Sequence, residues 1–173
     1  CKEKNDTVPA GKTETTVQKI QISHLNFAYP DGKQILKDIS FKAEKGQIIG
    51  ITGPVACGKS TLGKVFLCEY PYEGQILVDG KELQNMPPSW QTNIIGYLGH
   101  DPELFNDSVE NNVLMGEQKK TEDFLKMVCM AEEVNEMDDG LQTLVGNGGV
   151  RLSGGQGKRL ALARTLCHKK TVL

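Results

Sequence analysis

"GPVACGKST", residues 53–61, follows the apolar run "QIIGIT" and precedes the helical stretch "LGKVFL". It fits G-x-x-x-x-G-K-[ST] in the setting that gives this pattern its meaning, a strand before and a helix after. Each part has a chemical reason. Glycines at Gly53 and Gly58 let backbone N–H groups converge on phosphate oxygens, and the helix start adds favourable partial charge. Lys59 brings a mobile positive charge to the β- and γ-phosphates, and Ser60 offers a hydroxyl ligand to Mg²⁺. A chance glycine turn is the plain alternative, expected in roughly one chain of this length in a hundred before the context is counted. Binding of a nucleoside triphosphate is the favoured reading.

Outward from this loop, the chain alternates strands and helices. "KIQISHLNFAY" (19–29) has the period of a half-buried strand, "YPDGKQ" is a turn, and "ILKDISF" is a second strand. "GQIIGITG" (46–53) is almost wholly apolar and predicts a central strand. A helix is expected from Lys59 to about Cys68. "GQILVDGKEL" reads as a strand, an Asp79-Gly80 turn and another strand, and "NIIGYLG" as one more. From about Asp107 to Asp138 the pattern is helical. A glycine-rich loop, "GNGGVRLSGGQ", then opens a final helix, and "TVL" at 171–173 looks like the start of a strand.

Composition narrows the class. At 173 residues the chain supports one domain with a real core. A net charge of −2 gives no bulk attraction to nucleic acid or an anionic membrane, so no nucleic-acid partner is expected. No apolar run approaches the ~18 residues of a spanning helix. Five cysteines, odd in number and without paired metal-type spacing, read as reduced thiols of a cytosolic protein. Residues 1–18 are polar and without period, as in a linker or tail.

"LSGGQ", residues 152–156, carries a second anion site. Ser153 suits a helix N-cap, and Gln156 three residues on completes a capping box. The glycines between them leave N–H groups bare at a helix start. Two phosphate cradles in one domain suggest that one holds the domain's own nucleotide and the other serves a partner's.

At this point the sequence resembles the nucleotide-binding domain of an ABC transporter of the exporter type, from about Lys19 to the end. "GPVACGKST" looks like its Walker A motif, "LSGGQ" like its signature, and "DPELFNDSVENNV" like the segment after its Q-loop. The resemblance implies an α/β P-loop NTPase fold of the ABC ATPase kind. An antiparallel β-subdomain and a helical subdomain at about 101–149 would belong to one domain over 19–173. It implies ATP and Mg²⁺, held by Gly53, Pro54, Val55, Ala56, Cys57, Gly58, Lys59, Ser60 and Thr61, with Tyr29 stacked on adenine as the aromatic A-loop residue. Ser60 would be the metal ligand. It also implies a head-to-tail dimer with a second nucleotide-binding domain, Ser153, Gly155 and Gln156 reaching the γ-phosphate in trans. The transmembrane domains of an exporter would be further partners, placing this domain at the cytoplasmic face of the membrane.

Three departures from the family pattern stand out. His100 occupies the position of the Q-loop glutamine; imidazole nitrogen suits Mg²⁺ less well than a carbonyl oxygen, so His100 is a metal ligand only by its position. Asn147, in "TLVGNGG", stands where exporters often carry an acidic residue. The chain stops at "KKTVL", where the Walker B strand would begin, so the catalytic carboxylates lie outside it. The expectation is a domain incomplete at its C-terminus, with an apolar sheet edge uncovered, that holds ATP but turns it over poorly alone. Two other readings stay open: a non-catalytic nucleotide-gated dimerisation module, and a soluble ABC-type ATPase without a membrane partner.

Overall fold

The computed structural model describes residues 16–173; most of the expected polar linker lies outside the described residues. Strand β1 (Lys19–Ala28) pairs antiparallel with β2 (Gln34–Glu44) on one side and with β3 (Glu73–Val78) on the other. A short β4 (Lys81–Glu82) completes the order β2-β1-β3-β4. The alternation read in β1 is real: Ile20, Ile22, Leu25 and Phe27 are buried. The spacing slips between Ile22 and Leu25, where the register shifts and His24 adopts φ +50. Such a bulge re-aims the strand while keeping its apolar face inward. The Asp79–Gly80 turn joins β3 to β4, and the Asp79 carboxylate accepts the N–H groups of Gln18 and Lys19. Val17 is thereby buried with the sheet, although the sequence places it in the polar tail.

The sheet packs on helix α1 (Lys59–Phe66), which contributes Leu62 and Val65 to a first hydrophobic cluster with Ile22, Ile76, Val78 and Leu83. Helix α2 (Pro88–Ile94) follows, and the chain then bridges in parallel to its last residues, Ile95 opposite Val172. "NIIGYLG" is therefore part helix and part extended segment, with Pro87 and Pro88 starting the helix early. "TVL" contributes this one bridge.

The run 46–53 differs from its expectation. It forms no strand ladder among the described residues; Ile48 is 97% exposed and Ile51 50%. An apolar β-branched run favours extended backbone, but a strand also needs a neighbour to accept its N–H and C=O groups. Here a groove of about 620 Å³ separates it from the Ile95–Val172 bridge, lined by Ile49, Ile51, Leu62, Phe66 and Tyr97.

A second cluster forms around helix α6 (Gly154–Cys167), packed by α3 (Val109–Leu114), α4 (Thr121–Met127) and α5 (Ala131–Asn135). The two-residue strands β5 (Asp107–Ser108) and β6 (Leu144–Val145) close it. Buried Asn112 anchors this unit. Its Nδ2 donates to the Phe105 and Ser108 carbonyls, and its Oδ1 accepts from the Phe105 N–H and from Arg164 Nη2. Arg164 also donates to the Asn112 and Glu103 carbonyls and lies 4.7 Å over the Phe105 ring. Segment 103–112 is thus tied to α6. No helix among the described residues is long and apolar enough to cross a membrane.

Candidate nucleotide site

The P-loop has a built shape. Helix α1 begins at Gly58, φ +102, with no side-chain cap. A Cβ at Gly58 would meet Ile35 Cγ2 at 2.8 Å and Leu36 Cδ2 at 3.0 Å, so conformation and space both require glycine there. The first N–H groups of α1 are left for an external acceptor. Residues 53–57 are exposed, as are Lys59 and Ser60. Lys59 Nζ curls back to donate to the Gly53 carbonyl at 2.9 Å and the Pro54 carbonyl at 2.7 Å, with Cys57 Sγ at 3.6 Å. Neutral carbonyls are weaker partners for an ammonium than phosphate oxygens, so these bonds exchange readily for a charged ligand. An uncapped helix start, an exposed lysine on exchangeable neutral partners and a nearby hydroxyl form a donor set that fits a triphosphate with its Mg²⁺. That ion commonly takes one or two protein ligands and completes its shell with phosphate and water. Among the described residues no cluster of three or more His, Cys, Asp or Glu competes for a metal.

The capping box expected at Ser153 is present. The Ser153 hydroxyl accepts the Gln156 N–H at 3.2 Å, and Gln156 Oε1 accepts the Ser153 N–H at 2.8 Å, closing the capping box of α6. Gly154 and Gly155 are exposed, and a Cβ on Gly154 would touch nothing within 4 Å. Both ends of the Gln156 amide are engaged within the protomer, since Nε2 donates to Glu133 Oε2 at 2.9 Å. Beside the cap opens a cleft of about 480 Å³ lined by Asp101, Glu103, Asn147, Arg151 and Lys158.

A P-loop and an "LSGGQ" cap in one α/β chain can be set against known proteins. The profile described as "ABC transporter" matches residues 36–173. The chain belongs to the ABC transporter family. P-glycoprotein 14 of Caenorhabditis elegans is 36% identical over 172 residues, which is 95% of this chain and 13% of that protein. The probable multidrug resistance ABC transporter ATP-binding/permease protein YheI of Bacillus subtilis is 37% identical over 160 residues, 89% of this chain and 27% of that protein. The solved structure of a bacterial Atm1-family ABC exporter with ATP bound is similar with a TM-score of 0.83 at 28% identity, covering 94% of this chain and 30% of that one. The chain thus spans between 13% and 30% of the length of these relatives. Its fold is the α/β fold of the ABC ATPases, and its resemblance is to exporter-type nucleotide-binding domains.

Within this ABC domain the remaining predicted residues fall as follows. Tyr29 lies at the β1–β2 turn, half-buried, with its hydroxyl 3.4 Å from the Thr61 hydroxyl on α1. Thr61 is itself buried, so its side chain links the aromatic position to the P-loop helix rather than standing free. Tyr29 meets Phe27 edge-on at 4.9 Å and Tyr70 edge-on at 5.5 Å. His100 is 84% exposed, and among the described residues its hydrogen-bond partner is Asp101, Nδ1 to Oδ1 at 3.0 Å. Asn147 is exposed in the cleft beside the signature. Sequence reading passed over Tyr70, Tyr97 and Glu133. Tyr97 packs against Gly63 on α1, where a Cβ would collide with its ring. For Tyr70 the available signal was an aromatic residue set in a polar turn; for Glu133 there was none.

Proposed function

We propose that this chain is the ATP-binding domain of an exporter, and that ATP bound and hydrolysed at paired copies of it drives a substrate across a membrane. The carrying observation is the P-loop: Gly58 forced to glycine, α1 uncapped, and Lys59 held by neutral groups of the loop itself. Lys59 and the loop N–H groups would hold the phosphates, Ser60 would ligate Mg²⁺, and Tyr29 would offer its ring to the base. Mg²⁺, when bound, supplies charge neutralisation at the phosphates. His100 turns to Asp101 rather than to the loop, which supports Ser60 as the metal position of this chain.

The names of the relatives support the membrane partner, since one is an ATP-binding/permease protein and one structure is an ABC exporter. The partners proposed are the transmembrane domains of such an exporter, with this domain on the cytoplasmic face, and a second nucleotide-binding domain. The P-loop borders the first hydrophobic cluster and the signature opens α6 in the second, and among the described residues none lines both neighbouring cavities. That separation favours a nucleotide shared between two copies over one enclosed by a single copy. Domain limits of 19–173, with a helical portion near 101–149, suit the same reading.

Equilibrium binding of ATP to the intact protein tests it. Lys59→Ala should abolish binding, because the phosphates lose the one lysine of the motif. Unchanged affinity would overturn the assignment. The nucleotide-gated module without turnover is separated from the exporter reading by a phosphate-release assay on the same protein.

A further inference from the structure

The signature helix is held from the side by a residue outside every motif. Glu133, on α5, receives two charge-assisted hydrogen bonds and one further ion-pair contact. Gln156 Nε2 and Arg159 Nη2 donate to its Oε2, both at 2.9 Å, and Arg159 Nη1 reaches its Oε1 at 2.6 Å. Arg159 Nη1 also donates to the Cys129 carbonyl at 2.6 Å, joining the α4–α5 connection to α6.

The consequence lies in the amide of Gln156. An amide has one accepting end and one donating end, and the capping box needs the accepting end toward the Ser153 N–H. A carboxylate on the opposite side admits only the donating end. The charge of Glu133 therefore selects the one orientation of Gln156 that closes the cap. Arg159 neutralises that charge, so the carboxylate does not oppose an anion at the nearby glycines.

We propose that Glu133 is a positioning residue for the signature: through Gln156 it holds Ser153 and the Gly154–Gly155 N–H groups ready for a phosphate. This rests on the reading that the signature receives a partner's nucleotide. The pair supports it electrostatically, because hydrogen bonds from Arg159 and Gln156 hold the Glu133 carboxyl below the usual glutamate range and keep it ionised. The adjacent Glu132 is exposed on the same short helix and takes no part in the network.

The test is a charge conflict and its relief in the intact protein. Gln156→Glu keeps a good capping-box residue, so a cap considered alone predicts no loss. Facing Glu133, however, the new carboxylate meets a like charge. ATP turnover should fall by about ten- to a hundredfold, the cost of one charged hydrogen bond, while ATP affinity measured without turnover stays at the wild-type value. Adding Glu133→Gln supplies a donor to the new carboxylate and should restore turnover, whereas Glu132→Gln added instead should not. Amide hydrogen exchange at residues 153–157 gives a readout independent of turnover: faster in the single variant, restored in the pair. Wild-type turnover in Gln156→Glu, or a double variant as impaired as the single, would overturn the role of Glu133. So would loss of turnover matched by equal loss of ATP affinity, which marks general damage. A wild-type protein that never hydrolyses ATP defeats the exporter reading instead, and the exchange pattern then decides Glu133 by itself.

Discussion

At the scale of single residues, the loop makes Cys57 a reporter of what occupies it. Cys57 is exposed, with its sulfur close against Gly53 and 3.6 Å from Lys59 Nζ. Cys129 is also exposed but lies at the α4–α5 connection, whereas Cys167 is buried and its thiol is pushed up by burial. Brief alkylation should therefore mark Cys57 and Cys129 and spare Cys167. Mg-ATP should slow labelling of Cys57 alone, because phosphates in the loop cover it and leave Cys129 open. Peptide mapping in which ATP protects both or neither would move the nucleotide elsewhere. The aromatic position gives a second residue-scale expectation. Tyr29→Ala should weaken ATP binding by about 1–3 kcal/mol while leaving affinity for inorganic triphosphate unchanged. Tyr70→Ala, which removes an edge contact to Tyr29, should cost about 0.5–1.5 kcal/mol in the same titration.

Elements show which features a linear reading captures. The capping box at Ser153 was legible because its partners are three residues apart, and so was α1, whose start signal and apolar period are local. The hold of Glu133 on Gln156 was not, since it joins two helices across 23 positions of sequence. Run 46–53 was legible as apolar but not as unpaired and exposed, because composition encodes burial preference and not the identity of a neighbour. The far end of α6 carries an expectation about acid. His168, its C-cap, buries an Nε2 that has no hydrogen-bond partner among the described residues. Burial chiefly pushes its pKa below the ordinary histidine value of 6.5. In the window between the two values the unfolded chain binds more protons than the folded one. Stability is therefore full above pH 6.5 and lost as pH falls through that window, levelling off below the folded value. Thermal unfolding between pH 7.5 and 5 should show this decline, and His168→Gln should flatten it. A variant with the same slope as the wild type would assign the decline to other groups.

For the whole molecule, the two clusters set the terms of assembly. Each half of the proposed composite site belongs to a different cluster, so a head-to-tail pair places the P-loop of one copy against the signature of the other. Ser153→Arg tests the signature half. It removes a cap worth about 0.5–2 kcal/mol and sets bulk over the exposed glycines, but it touches nothing in the P-loop. ATP should bind the variant as it binds the wild type, while nucleotide-dependent dimerisation should be lost on size exclusion with a non-hydrolysed analogue. Lys59→Ala is lost for the complementary reason. Co-expression of the two variants then separates a shared site from a private one. In a mixed dimer the intact P-loop of the Ser153→Arg copy faces the intact signature of the Lys59→Ala copy, so one composite site is whole and the other is doubly broken. Since neither variant pairs with itself, every nucleotide-dependent dimer in the mixture is mixed and holds one site of two, which gives about half the wild-type occluded nucleotide per dimer. Each variant alone should give none. If the mixture also occludes none although mixed dimers are recovered, the two motifs do not meet across a pair of copies.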